Sequence, residues 1–190
     1  AASPVRAESL KSGDRVIFRG DSITQAGARP TGYVSLVRNS INERFAERNV
    51  EVIGAGVSGN RVPNLEARLQ KDVLDKKPTI VVIYIGINDV WHSLSGRGTS
   101  TEDYEAGLKR IITQINEVGA RVILCTPSVV GEKTDGSNQL DVMLAQYAAI
   151  SRKVAVDTKS QLFDLQRRFQ SYLEGHNPEN AEKNILTTDG

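Results

Sequence analysis

The sequence predicts a three-layer α/β/α sandwich, doubly wound about a five-stranded parallel sheet, and three observations carry that expectation. Short runs rich in β-branched residues recur along the chain, amphipathic stretches lie between them, and the runs themselves are apolar almost without interruption. Uninterrupted apolar strands belong to a sheet covered on both faces, which helical right-handed crossovers would provide. The architecture this describes is flavodoxin-like.

Five runs supply the strands: Arg15 to Phe18, Val50 to Ile53, Thr79 to Ile85, Arg121 to Cys125 and Gln161 to Phe163. Between the first two, Tyr33 to Glu47 places Val34, Val37, Ile41 and Phe45 at helical spacing. Tyr104 to Val118 does the same with Leu108, Ile111, Ile112 and Ile115, and Leu140 to Val156 with Leu144, Tyr147 and Ile150. The stretch Trp91 to Thr101, with Gly96 and Gly98, reads as a long loop after the third strand, on the crevice side, where it would set specificity. Nothing resembling a linker, repeat or low-complexity segment breaks the pattern, so residues 1–190 read as a single domain.

Composition narrows the function classes. With 39% apolar and 25% charged residues the chain is ordinary for a globular protein with a core, and 24 basic residues nearly cancel 23 acidic ones. Without a basic cluster or interleaved aromatic stripe, nucleic acid and anionic membranes are poor partners, and a small uncharged or weakly charged molecule suits better. No apolar run has the length of a transmembrane segment. Cys125, the only cysteine, cannot form an internal disulfide and reads as a buried strand residue. The start Ala1-Ala2-Ser3 would suit a mature end left by a small-residue cleavage site, which leans towards a secreted or periplasmic protein. His, Cys and carboxylates show no metal-ligand spacing, and no cofactor is expected.

Four short motifs fall where strands end. Gly20-Asp21-Ser22-Ile23-Thr24 leaves Val16-Ile17-Phe18, Gly54-Ala55-Gly56-Val57-Ser58-Gly59-Asn60 follows the second strand, Gly86-Ile87-Asn88-Asp89 follows the third, and Leu186-Thr187-Thr188-Asp189-Gly190 closes the sequence. A parallel sheet brings such loops to one edge, where these folds bind ligands. Taken alone, Ser22 fits a helix N-cap about as well as a nucleophile.

Together the motifs resemble the SGNH (GDSL) hydrolase family, in the right order and over nearly the whole chain. The resemblance implies that Ser22 is the nucleophile of a serine esterase acting on a small-molecule ester through an acyl-enzyme. Its oxyanion hole would be the backbone N–H groups of Ser22 and Gly59 and the side-chain amide of Asn88. Asp189 would orient a histidine that takes the Ser22 proton and returns it to the leaving alcohol. The family's acyl groups and alcohols vary; near-neutral charge and short loops lean towards a small acyl group such as acetyl on a sugar, with lysophospholipids and other short acyl esters also open.

One departure stands out. The family's histidine falls three positions after its aspartate, two residues beyond Gly190, and the histidines present, His92 and His176, stand elsewhere. The expectation is a sequence truncated before that histidine and the last helix, and a 190-residue form nearly inactive, since losing the serine or the histidine of a triad costs on the order of a millionfold in kcat. The alternatives are a pseudo-enzyme or non-catalytic binding domain on the same fold, and a stand-in role for His176. That residue lies in Gly175-His176-Asn177-Pro178, which reads as a loop between helices.

Other readings compete locally. Gly54-x-Gly56-x-x-Gly59 matches a dinucleotide fingerprint, but no acidic residue for a ribose ends the next strand, and Pro63 and Asn64 lie where the helix should already run. Arg19-Gly20-Asp21-Ser22 spells an adhesion tetrapeptide yet leaves a core strand. The GxSxG elbow is absent. Asp21, Trp91 and His92 are candidates for the substrate cleft; Trp91 and His92 could equally pack their loop onto the domain. Asp89 reads as a turn or loop holder, and Asp164, ending the fifth strand, as the cap of the helix that follows it.

Overall fold

The structure is a computed structural model that describes residues 9–188. Five parallel strands, β1 (Arg15–Gly20), β2 (Glu51–Gly56), β3 (Ile80–Tyr84), β4 (Arg121–Cys125) and β5 (Gln161–Phe163), pair in the order β2-β1-β3-β4-β5. This is the flavodoxin-like order, and it reverses direction between β1 and β3. Ligands of such sheets bind outside the strand ends at that reversal, so the loops after β1 and β3 flank the natural crevice.

The helices are α1 (Ser22–Gly27), α2 (Tyr33–Arg44), α3 (Val62–Ala67), α4 (Leu69–Asp72), α5 (Ile87–Trp91), α6 (Thr101–Glu117), α7 (Asp141–Asp157) and α8 (Leu165–His176). Alternation along each strand sends successive side chains to opposite faces. Ile17, Val81, Ile83, Val122 and Leu124 join Leu65, Leu108, Ile111, Ile115 and Val154 in the larger core, beneath α3, α6 and α7. Val16, Phe18, Val52 and Ile80 form the smaller one with Val34 of α2, and Val82 and Ile123 pack against it only partly buried.

Boundaries differ from expectation at a few informative places. β1 runs on through Arg19 and Gly20, because Arg19 is fully buried and its guanidinium reaches the Leu65 carbonyl. The expected loop Trp91 to Thr101 is largely helical: Trp91 ends α5, His92–Ser95 forms a 3₁₀ turn, and Thr101 begins α6. His176 occupies the last position of α8, so the expected loop begins only at Asn177. Asp164 caps that helix, accepting from the Arg167 N–H at 3.3 Å.

Candidate active site

Ser22 is the first residue of α1, exposed at the carboxyl end of β1. The cap is Asp21, whose Oδ1 accepts from the Ile23 N–H at 2.9 Å, and among the described residues the Ser22 hydroxyl makes no hydrogen bond. Division of labour between neighbours thus leaves the hydroxyl free. Gly20 permits the tight entry: a Cβ there would sit 2.3 Å from the Tyr84 carbonyl oxygen and 2.2 Å from Thr24 Oγ1. Asp21 is only 2% exposed and does not line the cleft, contrary to expectation, because its carboxylate turns inward to cap α1. With Arg19 buried as well, the adhesion tetrapeptide cannot be read by a receptor.

The loop after β2 is tied to this corner at several points. Val57 N–H donates to the Gly20 carbonyl at 3.2 Å, and Ser58 N–H to Gln25 Oε1 at 2.9 Å. Asn60 accepts twice: its carbonyl from Asn88 Nδ2 at 3.1 Å and its side-chain oxygen from Arg68 Nε at 2.7 Å. Between them Gly59 has φ +74, a left-handed turn, with open space where a Cβ would point.

Asn88, in the first turn of α5, is 4% exposed. An amide carries two N–H donors, and the bond to Asn60 uses one. Asp89 is buried beside it and accepts from the Val62 N–H at 3.0 Å, capping α3 from across the site. Burial pushes the carboxyls of both Asp21 and Asp89 up to about 6, although backbone N–H donors oppose the rise at each.

Ser22 and Asn88 line a single cavity of about 680 Å³, together with Ile87, Trp91, Val130 and Thr188. It continues as an apolar groove over the sheet, past Phe18, Val82, Tyr84 and Cys125, between Val37 of α2 and Phe169 of α8. Trp91, 48% exposed, is part of this wall. Gly59 and His92 do not line it. His176 lies in a separate depression with Arg167 and Tyr172, its ring stacked 3.9 Å from Tyr172 and its Nδ1 2.8 Å from the Tyr172 carbonyl oxygen. Asp189 falls outside the described residues. Three or more His, Cys, Asp or Glu side chains converge nowhere among the described residues in a manner that would hold a metal ion. Nor, among them, is any helix long and apolar enough to cross a membrane.

Two residues that the sequence did not single out organise this site. Arg68 donates from Nη2 to the Gly20 carbonyl at 3.0 Å and from Nη1 to the Ala55 carbonyl at 3.1 Å, besides its bond to Asn60, so one guanidinium clamps the ends of β1 and β2. Asp72 balances it, pairing with Arg68 and lying 3.8 Å from Arg19. Burial, with Arg68 nearby, lowers the Arg19 pKa to about 9. Glu132, in the connection between β4 and α7, is buried against the backbone of residues 185–187. Neither carries a local signal: both read as surface charges until distant segments meet them.

The model of the GDSL-like lipase/acylhydrolase family matches residues 18–184. The chain belongs to that family. Within this GDSL-like family it is 33% identical over 182 residues to an acetylxylan esterase of Geobacillus stearothermophilus, covering 87% of this chain and 82% of the relative. The crystal structure of the acetyl xylan esterase AlAXEase superposes with a TM-score of 0.89 at 42% identity, covering 92% of this chain and 89% of that one. Two solved structures of the G. stearothermophilus enzyme Axe2, at TM-scores of 0.80 and 0.79 and 31% identity, each covering 87% of this chain and 82% of that one, are catalytic mutants in which a histidine and a serine, respectively, are replaced by alanine. This GDSL-like chain therefore shares sequence and fold with esterases along most of its length.

Proposed function

We propose that the protein is a serine esterase that removes acetyl groups from carbohydrate through an acetyl-enzyme. The observation that carries the reading is the placement of Ser22 and Asn88 on one cavity at the reversal of strand order, with Asn88 bonded to the loop that carries Gly59. The names of the relatives support acetylated xylan as the carbohydrate.

In this reading Ser22 Oγ attacks the acetyl carbonyl and a tetrahedral oxyanion forms. The N–H groups of Ser22 and Gly59 and the free N–H of Asn88 receive it, each worth roughly 3 kcal/mol at the transition state. The base takes the Ser22 proton and gives it to the sugar oxygen as collapse expels the alcohol; water then attacks the acetyl-enzyme while the base takes its proton, and acetate leaves as that proton returns to Ser22. The base in this reading is a histidine that Asp189 orients; the family's pattern sets it three positions after the aspartate, and neither His92 nor His176 stands at that spacing. A polypeptide ending at Gly190 is accordingly expected to acylate and turn over very slowly.

The apolar groove favours a second reading, an ester with a longer acyl chain, because Phe18, Val82 and Phe169 offer such a chain a continuous apolar bed. Protein expressed from its full coding sequence separates the two. Acetylated xylo-oligosaccharide and p-nitrophenyl acetate should be hydrolysed at least tenfold more efficiently than p-nitrophenyl octanoate. The reverse order would assign the longer acyl group, and no turnover of any ester would leave a binding domain.

A further inference from the structure

We propose that Glu132 is a positioning residue for the reaction: its buried carboxylate holds the backbone of Ile185–Thr187, of which Leu186 and Thr187 line the Ser22 cavity, in the stretch of sequence that leads into Asp189. The inference rests on the role proposed above for Asp189.

Glu132 is 0% exposed, and none of the salt bridges among the described residues includes it. Its charge is met by three backbone N–H groups of one segment. Oε2 accepts from the Ile185 N–H at 2.8 Å, and Oε1 from the Leu186 N–H at 2.7 Å and from the Thr187 N–H. Burial by itself would raise this carboxyl, but the Leu186, Ile185 and Thr187 donors outweigh it and hold the group below the ordinary carboxylate range. Three successive N–H groups converging on one carboxylate form an anion nest that fixes the direction of the chain. The segment needs such an anchor, since residues 177–188 contain neither helix nor strand.

The main chain reinforces the arrangement. Glu132 N–H donates to the Glu182 carbonyl at 2.9 Å, and Asn177 Nδ2 donates to the Glu132 carbonyl at 2.7 Å. Asn177 also closes its own loop, its Oδ1 accepting from the Ala181 N–H at 2.7 Å. What this holds is part of the site: Leu186, Thr187 and Thr188 line the Ser22 cavity, as do Val129 and Val130 just ahead of Glu132. Asp189 is the next residue in sequence. A buried carboxylate met by three N–H groups of the segment makes one conformation of that segment far better than its alternatives, because leaving the charge unpaired in the interior is costly.

The test is a double-mutant cycle on protein expressed from its full coding sequence, assayed with p-nitrophenyl acetate, using E132Q, D189A, the double variant and S22A. The E132Q amide should lower kcat at least tenfold with KM changed less than about twofold, and add less than about twofold to the loss in D189A. Unchanged kcat in E132Q, or its full loss repeated on top of D189A, would overturn the positioning role. Wild-type turnover by S22A would instead overturn the esterase reading itself. Should E132Q not fold, hydrogen exchange in the unmodified protein decides: the amides of residues 185–187 should exchange at least about a hundredfold more slowly than an unstructured chain, and unprotected exchange would refute the anchor.

Discussion

The side-chain amide of Asn88 donates to the main-chain carbonyl of Asn60 at 3.1 Å, joining the loops that follow β3 and β2 beside Ser22. One side chain thereby positions a backbone turn while its second N–H, the one proposed to receive the oxyanion, has no hydrogen-bond partner among the described residues. Substituting Asn88→Ala removes both functions. The expected loss is about a hundredfold or more in kcat with a smaller change in KM, since the donor acts on charge that develops in the transition state. Steady-state kinetics on p-nitrophenyl acetate check it, and a loss confined to KM would assign Asn88 to ground-state binding.

Arg68 satisfies the Gly20 and Ala55 carbonyls and the Asn60 side chain at once. Arg68→Met keeps the aliphatic stem but removes the guanidinium donor from the Ala55 carbonyl and the Asn60 side chain, leaves the Gly20 carbonyl with the Val57 N–H, and leaves Asp72 with Arg19 at 3.8 Å in place of its close partner. Urea denaturation should show a loss of about 3 kcal/mol. A change under about 1 kcal/mol would mean that water replaces the guanidinium at little cost.

Burial of Asp89 raises its pKa from 3.8 to about 6, which fixes a sign. The folded protein binds this proton more tightly than the unfolded chain, so stability declines as pH rises from about 4 to about 6 and the full cost, about 3 kcal/mol, persists above that. Asp89→Asn removes the charge and keeps an acceptor for the Val62 N–H. The stability of D89N relative to the parent should therefore improve between pH 4.5 and pH 8 in parallel urea titrations. Depressed carboxyls such as Glu132 and Asp164 have the opposite dependence, but they are common to both proteins and cancel in the difference.

Between α2 and α8 the groove over Phe18, Val82 and Phe169 is apolar and continuous with the Ser22 cavity. A polypeptide ending at Gly190 should bind a hydrophobic dye and associate with rising concentration. Sedimentation velocity over a hundredfold range of concentration checks this, and a monomer throughout without dye binding would show the groove to be closed in solution.

Much of this arrangement is legible along the chain, and what is not has a common cause. Runs such as Arg121–Cys125 declare themselves because apolar β-branched residues and turn residues are local signals, and the order of the strand-end motifs brings Ser22 and Asn88 to one edge. The capping of α1 is harder to read: Asp21 and Ser22 are both good caps, and only the fold shows that the carboxylate takes the Ile23 N–H. The Trp91–Thr101 stretch deceives because its glycines suggest a loop, whereas Gly96 merely closes a 3₁₀ turn in the left-handed conformation. Arg19, Arg68 and Glu132 acquire their roles from partners that are 46, 48 and 53 residues away, distances at which sequence spacing says nothing.

The most direct measurement is to treat protein from the full coding sequence with a serine-directed organophosphonate and locate the adduct by peptide mass spectrometry, alongside the turnover of S22A. An adduct on Ser22 with acetyl-ester hydrolysis lost in S22A, by at least about a thousandfold, is the predicted result. An adduct on another residue, or undiminished hydrolysis by S22A, would contradict the assignment of Ser22 as the nucleophile.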